Sequence, residues 1–135
     1  MSTFTVNILT PTKKIGNSLP AESLLIPTVN GQINVLPEHT HLISVLDTGI
    51  LTLVNGKDSQ RFAITTGTLK VLGGDVTILA QVAEKDCDID GKRAQDALKK
   101  SESALLNCKD EKETIKYQRK LDRARVRVEL AKNFG

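Results

Sequence analysis

Tryptophan is absent from this chain, and its three Phe and one Tyr make up only 3% of 135 residues. Any core must be aliphatic, and so few rings argue against a base-stacking platform for single-stranded nucleic acid. Cysteine is nearly absent too. Cys87 and Cys108 are fewer than a disulfide framework needs, so the chain is expected in a reducing compartment. No apolar run approaches the length of a membrane span. The opening "MSTFTVNILTPTKK" has no apolar stretch behind a basic start and is not Arg-rich, so neither a secretory signal nor a transit peptide is expected there. The patterns GxxxxGK[ST], GxSxG, HExxH and CxxC do not occur, and nothing resembles a nucleophile–base pair. These absences argue against an enzyme. His39 and His41 would share one side of a strand, but with only Glu38 beside them they are too few for a metal site.

The charge is unevenly placed. Residues 1–85 carry 6 Lys/Arg and 6 Asp/Glu, whereas residues 86–135 carry 13 and 10. Seven of the nine glycines and all four prolines lie in the first part. Such a shift in composition marks a domain boundary, giving domains at residues 1–86 and 87–135.

The first part reads as strands. In "TFTVNIL" a period of two puts Phe4, Val6 and Ile8 on one face and Thr3, Thr5 and Asn7 on the other. "SLLIPTV", "QINVL", "HLISVL", "ILTLV", "RFAIT", "TLKVL" and "VTILAQV" follow. Turn chemistry separates them: Thr10-Pro11, Asn30-Gly31, Asn55-Gly56 and Gly73-Gly74-Asp75. Asn-Gly between alternating runs signals a hairpin, because both residues accept positive φ. Many short strands at this spacing make an antiparallel sandwich or barrel.

The second part reads as two short amphipathic helices. Ala94, Ala97, Leu98, Ser101, Leu105 and Cys108 recur at helical spacing, as do Tyr117, Leu121, Ala124, Val128 and Ala131. The polar "NCKDEKE" between them predicts a tight turn and an antiparallel hairpin. Its apolar stripes are narrow and Ala-rich, so the hairpin is marginal alone and a candidate switch element. The last helix is basic: residues 115–135 hold seven Lys/Arg and two Asp/Glu. Arg119, Arg123 and Arg127 share one face at intervals of four, which is either a solvated face or a stripe for an anionic partner. At the junction, "DIDGKRAQDAL" offers Asp90 as a helix cap, with Arg93 free to pair with Asp96 or Glu84, or offers both residues to a ligand.

"GQINVLPEHTHLI", "TTGTLKV", "VTILAQVAE" and "DIDGKRA" together resemble the epsilon subunit of the F-type ATP synthase, in the same order and over essentially the whole chain. The resemblance implies an N-terminal antiparallel β-sandwich followed by a C-terminal two-helix antiparallel hairpin. It implies a non-catalytic central-stalk subunit with the gamma subunit, the c-ring, and the beta and alpha subunits as partners. Gln32, Glu38 and His39 fall in the region that faces gamma and the c-ring. In that family the extended hairpin inhibits ATP hydrolysis, and Arg119, Arg123 and Arg127 would meet an acidic segment of the beta subunit. In some bacterial members "[IL]DxxRA" marks a regulatory ATP site on the folded-down hairpin. Here that site would comprise Glu84, Ile89, Asp90, Arg93, Ala94, Arg123 and Arg127, with Lys100 in place of an Arg. No cofactor is required and no metal is implied. The location implied is peripheral, on the cytoplasmic face of a bacterial inner membrane or the stromal face of a thylakoid. Asn34 stands where the family usually has Gly, a position that Asn would fill by tolerating a left-handed turn. Thr66 precedes Gly67 where the family often has a Gly pair, and Thr40-His41 replaces Ala-Pro. The alternative from another class is a β-sandwich adaptor whose basic hairpin binds nucleic acid. Asp86, Asp88, Asp90 and Asp96 at the hairpin base speak against it.

Overall fold

A computed structural model describes residues 3–37 and 41–134. The chain splits into two compact units, Met1–Lys85 and Asp86–Gly135. The first holds ten strands: β1 (Phe4–Leu9), β2 (Lys14–Ala21), β3 (Ser23–Thr28), β4 (Gly31–Val35), β5 (Leu42–Leu46), β6 (Gly49–Asn55), β7 (Asp58–Ile64), β8 (Gly67–Leu72), β9 (Asp75–Ala80) and β10 (Ala83–Lys85). Their hydrogen-bonded order is β10-β7-β6-β3-β5-β8-β9-β1-β2, with β4 paired to β3. The ladder folds over until β2 lies beside β10, giving a closed, sandwich-like layer pair. Phe4, Val6 and Ile8 alternate inward on β1, as the period of two requires. They meet Leu24, Leu53, Phe62, Leu69 and Ile78 in an aliphatic core.

All strand pairs but one are antiparallel. β1 runs parallel to β9, from Thr5↔Asp75 to Leu9↔Leu79. A parallel pair needs a long crossover, and here the intervening strands supply it. Strand β2 is unforeseen in the sequence reading, because "KIGNSLPA" carries the residues of a turn. It is an edge strand, where Pro20 is tolerated. Its pairing with β1 shifts register twice, and Ser18 takes a left-handed φ of 50. The Ser18 N–H donates to Asn7 Oδ1 at 2.8 Å, which anchors that kink. The single run "VTILAQV" also breaks in two. Gln81 N–H donates to the Thr66 carbonyl and Thr65 N–H to the Val82 carbonyl, both at 3.1 Å, as the chain leaves β9 for β7.

The hairpins form where Asn-Gly predicts them, but by another geometry. Asn55 ends β6 opposite Asp58, so the loop is Gly56-Lys57 with Gly56 at φ 63. Only the glycine is left-handed, the pattern of a turn with Gly at its first central position. Asn34 needs no left-handed turn either: it sits inside β4 opposite Leu25, and Ser18 is the one non-glycine with positive φ among the described residues. At the Thr66-Gly67 position the demand falls on Gly67 alone, where a Cβ would overlap the Leu79 carbonyl oxygen.

The second unit opens with a 3-10 turn over Asp86–Asp88, then α1 (Gly91–Leu106) and α2 (Glu111–Phe134). The helices pack on small residues: Ala94, Ser101 and Ala124 are buried, with Leu121 and Val128 beside them in the α2 stripe. A Cβ at Gly91 would lie 3.5 Å from that of Ala131, so the start of α1 meets the far part of α2 and the pair is antiparallel. Two details depart from the sequence reading. Cys108 lies beyond α1, although its thiol still reaches the Ala104 carbonyl at 3.1 Å. Helix α2 is 24 residues long and begins inside the expected turn, because Asp110 caps it. The Asp110 Oδ1 accepts from Glu113 N–H at 2.7 Å, a Ser/Asp-x-x-Glu arrangement that starts helices.

Candidate functional site

The "DIDGKRA" segment folds as a helix start. Asp90 has extended backbone at φ −82 and ψ 110, and its Oδ1 accepts from the Lys92 and Arg93 N–H groups at 3.0 and 3.2 Å. One carboxylate oxygen thus satisfies two of the helix's orphan donors. Ile89 is half-buried, and its N–H reaches the Asp86 carbonyl at 3.3 Å. Ala94 is fully buried, one turn after the cap. These three residues shape the end of the hairpin.

The cations converge further along the seam between α1 and α2. One cleft of about 300 Å³ is lined by Arg93, Asp96, Lys100 and Arg127, with Ala97 at its floor. A second, of about 210 Å³, is lined by Lys120, Arg123 and Arg127, with Ala97, Ser101 and Ala124. Arg127 and Ala97 belong to both, so the two clefts adjoin. Residues from two helices thereby place five cationic side chains and one carboxylate, Asp96, along a single groove. A groove of this sign attracts a polyanion, and arginine forks suit phosphate oxygens.

Of the residues singled out from the sequence, Arg93, Arg123 and Arg127 are therefore brought to one seam. Ile89, Asp90 and Ala94 line neither cleft, nor does Arg119, which is exposed one turn before Arg123. The stripe of three arginines is split by this arrangement. Glu84 lies in β10 opposite Ala63, in the first unit. Gln32 is exposed on β4 opposite Pro27, whereas Glu38 and His39 fall outside the described residues. Sequence reasoning missed Ser101 and Lys120 as site residues. Ser101 was placed on the apolar stripe, and only its being the stripe's lone hydroxyl marked it out. Lys120 Nζ also stands 5.4 Å from the Tyr117 ring centroid, and Lys116 Nζ is 5.6 Å from the same ring.

At the far end of the hairpin, Cys108, Asp110, Thr114 and Ile115 line a shallow cleft of about 550 Å³. Partial burial pushes the Cys108 thiol above its ordinary range, and the carboxylates of Glu113 and Asp110 add to the effect. Among the described residues, no group of three His, Cys, Asp or Glu is placed to hold a metal ion. No helix among them is long and apolar enough to cross a membrane.

Two family models match, and between them they cover nearly the whole chain. The ATP synthase delta/epsilon chain β-sandwich domain matches residues 3–86, and the delta/epsilon chain long α-helix domain matches residues 88–132. Chloroplastic ATP synthase epsilon chains are similar along their full length. That of Pelargonium hortorum is 32% identical over 127 residues, covering 93% of this chain and 94% of its own. That of Gossypium barbadense is 34% identical, covering 94% and 95%. The ATP synthase epsilon chain of Synechococcus elongatus is 31% identical over 129 residues, covering 94% and 93%. Among solved structures, a chain of the Euglena gracilis mitochondrial ATP synthase (OSCP/F1/c-ring) superposes with a TM-score of 0.82 at 22% identity. It aligns with 97% of this chain and 82% of its own length, a likeness of fold.

Proposed function

This chain belongs to the ATP synthase delta/epsilon family, and we propose that it acts as the epsilon subunit in the central rotor stalk of an F-type ATP synthase. The observation that carries this reading is the pair of matches, sandwich and helical domain in the same order, together with relatives named as epsilon chains over more than nine-tenths of the chain. The subunit does no chemistry of its own. Residues 1–86 bind the gamma subunit and rest on the c-ring, with Gln32, Glu38 and His39 in that contact. Residues 87–135 regulate: the extended hairpin presents Arg119, Arg123 and Arg127 to the beta subunit and suppresses ATP hydrolysis. The protein is held at the membrane only through the assembled complex, on its cytoplasmic or stromal face. None of these relatives favours a nucleic-acid adaptor.

The hairpin is also an ATP sensor in this reading. The seam cations Arg93, Arg123 and Arg127 support it, since they supply the charge that a triphosphate requires. Ile89, Asp90 and Ala94 set the end of α1 from which the nucleotide is approached, and Glu84 closes the set. ATP acts as a regulatory ligand, selecting the hairpin conformation that binds it by its differential affinity.

The test is stoichiometric co-purification with the gamma subunit of the same enzyme. The full chain and residues 1–86 should both be retained, and a chain that passes through without gamma would overturn the reading. In the reconstituted enzyme, replacing Arg119, Arg123 and Arg127 together by Ala should raise ATP hydrolysis, most at low salt where charge attraction is least screened. Unchanged hydrolysis at every ionic strength would reduce the stripe to a solvated face.

A further inference from the structure

Ser101 sits where packing alone would favour alanine. It is 8% exposed, on the face of α1 that also buries Ala94, two turns earlier. Its hydroxyl makes no hydrogen bond to the described residues. A buried hydroxyl without a partner is costly, and serine is a poorer helix former than alanine. Such a group points to something outside the protein. The cleft that it lines is otherwise cationic, with Lys120, Arg123 and Arg127 around it and no carboxylate in its lining.

We propose that this cleft is a phosphate subsite, in which Ser101 and Lys120 hold the distal phosphates of a nucleoside triphosphate lying along the α1–α2 seam. The inference rests on the ATP-sensor reading and adds to it a residue-level basis for reading phosphate-chain length. A phosphoryl group accepts hydrogen bonds and carries negative charge, and this cleft supplies a hydroxyl donor and three cations. Its neighbour, lined by Arg93, Lys100 and Arg127, holds the phosphates nearer the base. From Asp90 to Ser101 is eleven residues along the start of the hairpin. At about 1.5 Å per residue this is about 16 Å, a span suited to an extended triphosphate rather than a nucleotide with a short phosphate chain. Lys120 reaches the cleft from beside the Tyr117 ring, and Lys116 still faces that ring if Lys120 is changed.

The experiment is calorimetric titration of the full chain with ATP, ADP and inorganic tripolyphosphate at one ionic strength. Wild type is compared with Ser101→Ala, Lys120→Gln and Lys120→Arg. Wild type should prefer ATP to ADP. Ser101→Ala should weaken ATP binding about fivefold and Lys120→Gln about tenfold, with ADP binding changed less than about twofold. Lys120→Arg should restore the preference. The ligand-free melting midpoint of Ser101→Ala should match or exceed that of wild type, since alanine favours the helix. If ATP binds and neither substitution alters the ATP-to-ADP ratio, the subsite is wrong and the sensor reading stands. Equal losses for both nucleotides would make the two residues merely structural. Tripolyphosphate binding as tightly as ATP would overturn the nucleotide as occupant in favour of a bare polyanion. No binding of any of the three would overturn both the subsite and the sensor.

Discussion

Replacing Asp90 by Ala removes the cap of α1 while leaving the hairpin's apolar stripe untouched. The Oδ1 atom now serves the Lys92 and Arg93 N–H groups at 3.0 and 3.2 Å. Without it both donors turn to water, and the entry backbone loses its local anchor. The cost is about 1 kcal/mol, within the range of roughly 0.5–2 found for such caps. The backbone bond from Ala94 N–H to the Asp90 carbonyl, at 2.9 Å, survives the change. The helix should therefore fray rather than vanish. A loss of about 1 kcal/mol raises the local opening constant about fivefold. Amide hydrogen exchange reads this directly: the amides of Lys92, Arg93 and the following turn should exchange about fivefold faster. Amides of β8 and β9 should be unaffected. Asp90→Asn keeps an accepting oxygen and should recover most of the protection. It should fall short of wild type by a few tenths of a kcal/mol, because the carboxylate's charge also favours a helix N-terminus. Equal protection in Asp90→Ala and wild type would refute the cap, and would leave the Asp90 carboxylate free for a ligand.

Glycine substitutions separate two physical demands in the sandwich. Gly67→Ala should cost more than about 3 kcal/mol in chemical denaturation, since its Cβ would overlap the Leu79 carbonyl oxygen in a ladder flanked by Leu46 and Ala80. Gly73→Ala faces open space but a φ of 58, so about 1–2 kcal/mol is expected. Equal midpoints for the two variants would contradict the argument from close approach. At the hairpin tip, burial first and then Glu113 and Asp110 hold the Cys108 thiol above its ordinary range, which favours the neutral, unreactive form. Glu113→Gln removes one of the two carboxylates and should lower that value, so alkylation of Cys108 at a fixed, mildly alkaline pH should speed up. A rate no faster than wild type would show that the carboxylate has no hold on the thiol.

Much of this architecture is legible in local pattern. Inward residues such as Phe4, Val6 and Ile8 alternate because a strand's side chains do, and Ala94, Leu121 and Val128 recur because a helix turns every 3.6 residues. The break in composition near residue 86 is equally local, and so is the basic character of the last helix. Strand β2 was hidden because its Gly16, Ser18 and Pro20 suit an edge, and no residue declares in advance which strand will be an edge. The parallel pairing of β1 with β9 joins residues about seventy apart, beyond any local period. Gly67 is compelled by a carbonyl on a neighbouring strand. The site divides in the same way. Asp90 and Arg93 stand out by their spacing, and the spacing is that of a cap. The groove exists only when α1 and α2 pack, because Lys120, Arg123 and Arg127 come from one helix and Ser101 from the other. A periodic stripe records which residues face inward. What they face, and whether a buried hydroxyl finds a partner there, is decided by the partner helix alone.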